Sequence, residues 1–306
     1  MSGPRTGTVH ETGGGVYSVV LDEGSRLDAS LRGRLKQEQR TGSRVVIGDR
    51  VTVSESGAAW TIDSVDVRET ELVRRGRGGR IAKILAANLD RVFTVLALRA
   101  PTATAQLIDR MLVLVESSGM HPILVLNKAD LDGAAQSAEE FTELYEAIGY
   151  RVLVASAETG MGLEALHEVM CSGSSAFIGP SGAGKSSLLN KIDPVLELRT
   201  GILSKKTGTG RHTTVGSRLI ALKCGGLVAD TPGFGDVGLW AVSPRAVAEC
   251  FPEFANLQHE CRFRGCTHIH EPQCAVRAAL EAGEIRASRH ESYMRLRAEA
   301  EESEAR

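Results

Sequence analysis

The segment that most restricts the fold of this 306-residue chain is Gly179-Pro180-Ser181-Gly182-Ala183-Gly184-Lys185-Ser186. It matches the GxxxxGK[ST] pattern, follows the apolar run SSAFI and leads into the helical SLLNKI, which places it at a strand-to-helix junction. There the glycines let successive N–H groups curl around phosphates at a helix N-terminus. Lys185 reaches the terminal phosphates, Ser186 offers its hydroxyl to Mg2+, and Ser187 completes the first helical turn. A nucleoside triphosphate with Mg2+ is the expected occupant.

The surrounding sequence suits such a loop. From Asp90 onward the apolar runs RVFTVLAL, HPILVLN, RVLVASA, SSAFIG and GGLVADT alternate with helical stretches such as TAQLIDRMLVLVESSG and EEFTELYEAIG. That alternation predicts a mostly parallel sheet covered by helices. Asn127-Lys128-Ala129-Asp130 closes the strand ILVLN, and a carboxylate there accepts from guanine N1–H and the exocyclic amine together, a donor pair adenine lacks. Facing the wrong base, it would be left unpaired. Ser156-Ala157-Glu158, after RVLVA, reads as the loop whose backbone amide meets the guanine oxygen. GTP is therefore the expected nucleotide.

Two further elements complete the pattern. Asp230-Thr-Pro-Gly233 matches DxxG, with Asp230 expected to hold Mg2+ through water and the Gly233 amide to sense the γ-phosphate. Upstream, the Gly- and Thr-rich KKTGTGRHTT offers Thr213 and Thr214 as competing Mg2+ ligands. Phe234 stands where Ras-like GTPases carry the water-orienting glutamine, so unassisted hydrolysis is expected to be slow. His212 or a partner's residue would position the water, which gives Lys185, His212, Thr213 and Thr214 as the expected catalytic set.

Flanking segments carry different signatures. Residues 1–70 alternate short β-rich runs (GVYSVVLD, RVVIGDRVTV, AAWTIDSV) with Gly-bearing turns, as in a small twisted barrel. Arg32, Arg34, Lys36, Arg40, Arg44 and Arg50 face only Glu38 and Asp49, while the aromatics there are Tyr17 and Trp60, which favours backbone and shape recognition of nucleic acid over base stacking. Residues 71–88 crowd Arg74, Arg75, Arg77, Arg80 and Lys83 around three glycines and read as a mobile basic linker. Residues 89–245 hold the nucleotide motifs. Residues 246–306 are helical and end in the acidic EAEESEAR, which is expected to fray.

Within that last segment Cys261, Cys266, His268 and Cys274 place three thiols and an imidazole within fourteen residues, the donor set of a structural zinc ion. Spacing leaves His259 and His270 as rivals to His268. Cys171, Cys224 and Cys250 stand apart and read as packing residues. Charge and hydropathy bound the rest. With 36 Lys+Arg against 38 Asp+Glu, a wholly basic nucleic-acid binder is excluded. No run of 18 apolar residues exists and MSGPRTGTVHETGGG has no apolar centre, so no membrane association and a cytoplasmic location are expected. Heptads are absent, and a monomer is expected.

Along the chain the motifs run NKAD, SAE, P-loop, HTT, DTPG, a circular permutation of the ordinary GTPase order. DTPG is then followed directly by the C-terminal segment, so movement of this element would pull on whatever that segment binds. In this order, and in LRGRLK, VVIGDRV, AANLDRV, LNKADL, GPSGAGKSS, GRHTT, DTPGFGDVGLW and the terminal Cys/His set, the chain resembles the RsgA (YjeQ) family of bacterial GTPases. The resemblance implies an N-terminal OB-fold barrel, a permuted α/β P-loop GTPase domain and a C-terminal helical zinc domain. It favours His268 as the fourth ligand. It also implies a late factor in small ribosomal subunit maturation, bound to and activated by the subunit and its 16S-type rRNA, alongside other assembly factors. The alternative is an RNA-binding assembly scaffold with incidental turnover; a P-loop kinase or ATPase is disfavoured by NKAD.

Overall fold

The structure is a computed structural model that describes residues 3–41, 44–57, 59–75, 82–196, 217–230 and 242–304. Five strands open the chain: β1 (Arg5–Gly13), β2 (Val16–Leu21), β3 (Arg26–Leu31), β4 (Arg50–Ser56) and β5 (Ala59–Val65). They run antiparallel except for the parallel β3–β5 pair, and β1 closes on β4 to complete a barrel. Alternation along the strands turns Val9, Val19, Leu21, Leu31, Val51, Val53 and Ile62 into one buried interior. A helix, α1 (Gly33–Thr41), follows β3 within the barrel segment.

In the segment expected to be a mobile linker, the described residues 71–75 and 82–88 are ordered instead, while Arg77 and Arg80 lie outside the described residues. β6 (Glu71–Arg75) and β7 (Ala82–Ala87) form an antiparallel ladder. Leu72, Leu85 and Ala86 are buried against Met111, Leu114 and Val115 of the next unit. The apolar positions of ELVRR and AKILAA decide the packing, because burying Leu72, Leu85 and Ala86 stabilises the ladder. The ladder is also fastened to the barrel: Ala87 N–H donates to the Ile47 carbonyl at 3.0 Å and Asn88 Nδ2 to the Gly48 carbonyl at 3.0 Å.

The central unit contains β8 (Arg91–Ala97), α2 (Ala105–Glu116), β9 (Pro122–Asn127), α3 (Ala134–Glu146), β10 (Arg151–Val154), α4 (Leu163–Met170), β11 (Ser174–Ile178), α5 (Lys185–Ile192), β12 (Ser217–Ala221) and β13 (Leu227–Asp230). Its strand order is β10-β9-β8-β11-β13-β12, with all but β12 parallel. β9 is buried throughout, as helices on both faces require, while the outer strand β10 is buried at Val152 and Leu153. From β8 the strands β9 and β10 are added to one side, whereas β11 and β13 lie on the other. The winding sense thus switches between the parallel neighbours β8 and β11, and a crevice opens at their carboxyl ends, where α/β sheets take ligands. β12 pairs with β1 (Glu11 opposite Arg218), making barrel and central sheet continuous.

The C-terminal unit is helical: α6 (Pro244–Glu249), α7 (Pro252–Ala255), α8 (Ala275–Glu281) and α9 (Ala287–Glu304). α6 begins before the boundary expected at 245/246, because Ser243 caps it by accepting from Ala246 N–H with Pro244 in the first turn. The acidic terminus, expected to fray, is helical over its described residues. α9 continues to Glu304, with Ala300 buried and Arg110 of α2 paired to Glu299. Among the described residues no helix is long and apolar enough to cross a membrane.

Candidate nucleotide site and cysteine cluster

The site is assembled from four strand ends. β11 runs directly into Gly179, whose φ of 146° and whose missing side chain are both required: a Cβ there would stand 2.1 Å from the Val95 carbonyl oxygen. Gly184 ends the loop at φ 92° as the N-cap of α5, and a Cβ on it would meet Asn127 Nδ2 at 2.2 Å. The first N–H groups of α5 are thus presented with no side-chain cap in front of them, a cradle of the kind phosphates occupy. Lys185 Nζ donates to the carbonyls of Gly179 at 2.7 Å and Pro180 at 3.0 Å, which folds the ammonium across the loop's mouth. Burial lowers its pKa from the usual lysine range. Ser181 and Gly182 are exposed, Pro180, Ser186 and Ser187 are half-buried, and Ala183 is buried.

Asn127, at the end of β9, is buried and reaches both neighbouring loops. Its Nδ2 donates to the Ala183 carbonyl at 2.8 Å and its Oδ1 accepts from Ala157 N–H at 3.4 Å. The next residue, Lys128, takes a left-handed φ of 61°, and its ammonium donates to the Ala100 carbonyl. Asp130 Oδ1 accepts from Ser156 Oγ at 2.5 Å, and the same hydroxyl accepts from Thr159 N–H at 3.1 Å. One Asp130 oxygen is thereby positioned by the Ser156 loop. On the far side, Asp230 at the end of β13 pairs with Arg218 of β12 at 3.1 Å. His212, Thr213, Thr214, Gly233 and Phe234 lie outside the described residues.

The cysteine cluster sits between α7 and α8. Cys261 Sγ lies 3.8 Å from Cys274 Sγ and 3.6 Å from His268 Nδ1, which is itself 3.3 Å from Cys274 Sγ. A tetrahedral zinc ion with ordinary bond lengths has S···S edges of about 3.8 Å and N···S edges of about 3.6 Å, so this donor set fits the ion closely. Cys266 completes the group; all four donor atoms lie within 4.8 Å of one another. His259 and His270, the rivals by spacing, are not members. Local geometry explains the choice: His268 adopts φ 60° and Gln273 φ 57°, two reversals that turn the imidazole inward. His290 Nε2 donates to the His268 carbonyl at 2.8 Å, Tyr293 OH to the Thr267 carbonyl at 2.6 Å, and Arg277 N–H to Cys274 Sγ at 3.5 Å.

Sequence reading missed three features. Asp109 of α2 and Glu253 of α7 both bind the buried Arg289 of α9, Glu253 through two bonds of 2.7 and 3.1 Å. Tyr145 of α3 donates to Asp109 Oδ1 at 2.6 Å. These partners are far apart in sequence and no local spacing announces them. Cys171 and Cys224, expected to be packing residues, are instead joined as a disulfide, whereas Cys250 is buried and free. Finally, Ala100–Pro101 is a cis peptide beneath the P-loop, which only the Pro could have suggested.

Comparison with known proteins agrees with this layout. The family model described as RsgA GTPase matches residues 65–240. The small ribosomal subunit biogenesis GTPase RsgA of Gemmatimonas aurantiaca is 45% identical over 98% of this chain and 98% of its own. The protein of the same name from Moorella thermoacetica is 42% identical over 96% of each. Among solved structures, YjeQ from Thermotoga maritima superposes with a TM-score of 0.80 at 32% identity, covering 97% of this chain and 98% of that one. YloQ, a circularly permuted GTPase, gives 0.77 at 28% identity, covering 98% and 96%.

Proposed function

The chain belongs to the RsgA GTPase family, and from that premise we propose that it hydrolyses GTP in response to the small ribosomal subunit, late in that subunit's maturation. The observation that carries the reading is Asn127, which fastens the phosphate loop to the Ser156 loop and so makes one site of phosphate-binding and base-reading elements.

In this reading the N–H groups of the Gly179–Ser187 loop not already bonded within it hold the phosphates, Pro180 having none to offer, with Lys185 moving off its own carbonyls onto them. Asp130 takes the guanine edge and the Ala157 amide its oxygen. Ser186 and Asp230 would hold Mg2+, with Thr213 or Thr214, and the ion would neutralise charge on the phosphates. His212 or a group from the subunit orients water, and Gly233 senses the γ-phosphate. The Cys261, Cys266, His268 and Cys274 set would hold one structural zinc, and barrel and zinc unit together would dock on 16S-type rRNA, beside other assembly factors, with the chain acting as a monomer in the cytoplasm.

Turnover of GTP with and without purified small subunits tests this. Docking that orders a catalytic group in the transition state raises kcat and leaves KM near its free value. Absence of stimulation would overturn the ribosomal reading in favour of a scaffold, and efficient competition by ATP would overturn the base assignment.

A further inference from the structure

Cys171 and Cys224 lie away from the nucleotide crevice, at the amino ends of β11 and β13. Cys171 is the C-cap of α4, and its Sγ stands 3.5 Å from Nε2 of the exposed His167, one helical turn earlier. Cys224 occupies the turn between β12 and β13, and the two Cα atoms are 5.2 Å apart.

The backbone holds this turn against α4 by itself. Leu227 N–H donates to the Gly173 carbonyl at 2.9 Å, and a Cβ on Gly226 would lie 1.8 Å from the Met170 carbonyl oxygen, so only glycine permits the approach. Reduction of the disulfide therefore leaves both thiols beside His167. With the disulfide formed, the His167 nitrogen and the two bonded sulfurs lie within 4.8 Å of one another; once it is reduced, rotation of the two cysteine side chains separates the sulfurs toward the ~3.6–3.8 Å edges of a tetrahedral thiolate–imidazole site. Because His167 is exposed, a fourth position faces water. The Cys261–Cys274 set differs: His268 and Cys274 are buried and all of its thiols are free.

We propose that His167, Cys171 and Cys224 form a second, redox-gated cation site, which binds a thiophilic closed-shell divalent cation when its cysteines are reduced and releases it when they join. The oxidant is a low-mass disulfide. One protein thiolate attacks it and displaces a low-mass thiolate, then the second protein thiolate attacks the mixed disulfide and displaces the other. Two electrons pass from the protein sulfurs to the low-mass pair, and the cation leaves with its two thiolate ligands gone. The exposed, open site exchanges its ion readily, while the buried set retains its own.

Calorimetric titration of the reduced, zinc-loaded full chain with Zn2+ tests the proposal. The expected result is one further equivalent, lost in Cys224→Ser and weakened at least tenfold in His167→Ala, a substitution at an exposed position. Treatment with excess low-mass disulfide is expected to abolish that equivalent and to lower the protein mass by two hydrogens, without an adduct. The proposal is overturned if the reduced chain takes up no more Zn2+ than Cys224→Ser, if His167→Ala binds as tightly as the unaltered chain, or if the oxidised chain binds the second equivalent unchanged.

Discussion

Asn127 Nδ2 donates to the Ala183 carbonyl at 2.8 Å, across a separation of 56 residues, and both residues are buried. A single amide thus holds the loop that precedes α5 in register with the end of β9, the strand that leads to Asp130, the carboxylate proposed to read the base. Its removal leaves a buried carbonyl without a partner, at a cost of about 1–3 kcal/mol. Asn127→Ala is expected to weaken GTP and GDP alike by about five- to 150-fold, as read by titration of a fluorescent nucleotide. Wild-type affinity in that variant would mean that the two loops are positioned independently.

In the proposed reading Asp130 acts on the base alone. Asp130→Asn places an amide donor where guanine also donates and xanthine accepts, so preference should move from GTP toward xanthosine triphosphate. Competition binding with both nucleotides reads the change, and an unaltered GTP preference would remove Asp130 from base recognition. Lys185→Ala and Ser186→Ala should by contrast impair every base equally, since they address phosphate and Mg2+.

Metal content separates the cysteine cluster from the nucleotide site. Elemental analysis of the purified chain is expected to find one tightly held zinc, absent in Cys266→Ser. Removing it with a strong chelator should speed amide exchange through residues 257–285 and leave GTP affinity within about twofold, because the metal orders the C-terminal unit and not the P-loop.

The loop bearing His268 has an acid-sensitive support. Burial acts to raise the Glu271 pKa, but bonds from Thr267 Oγ1 at 2.6 Å, Thr267 N–H at 2.8 Å and His270 N–H at 3.3 Å outweigh it and hold the carboxylate well below its usual range. A folded-state value below the unfolded one contributes stability above about pH 4.3, which is lost as pH falls further. The melting temperature of the native chain should therefore exceed that of Glu271→Gln at pH 7, with the gap closing as pH drops toward 2. A gap independent of pH would show that shape, not charge, supports the loop.

Much of this was legible in local spacing. GPSGAGKS, NKAD and the Cys/His set each lie within a few consecutive residues, so the backbone that positions them is fixed by short-range geometry. The β6–β7 ladder was obscured because arginines dominate the composition of a segment whose few apolar residues, Leu72 and Leu85 among them, determine its packing. Cys171 and Cys224 are 53 residues apart and meet only because β11 and β13 are neighbours in the sheet. That adjacency comes from strand order, which no motif encodes.

Arg289 is the extreme case, since its partner Asp109 lies 180 residues away on another unit. The two side chains are 1% and 0% exposed, and the guanidinium also grips Glu253 and lies 4.4 Å over the Phe251 ring. Arg289→Met would leave two carboxylates facing each other with no counter-charge, and breaking a buried pair in this way costs about 3–5 kcal/mol. A melting temperature lowered by several degrees is expected, with intrinsic GTP turnover near normal at low temperature. Because the contact joins α2 and α3 to α7 and α9, the same variant should lose most of the turnover stimulated by small subunits if that stimulation passes through the C-terminal unit. Arg289→Lys should not restore it, since one ammonium cannot reproduce the planar fork that binds Glu253 through two bonds while also reaching Asp109. Full stimulated turnover in Arg289→Met, at a temperature where that variant is folded, would assign the triad to stability alone.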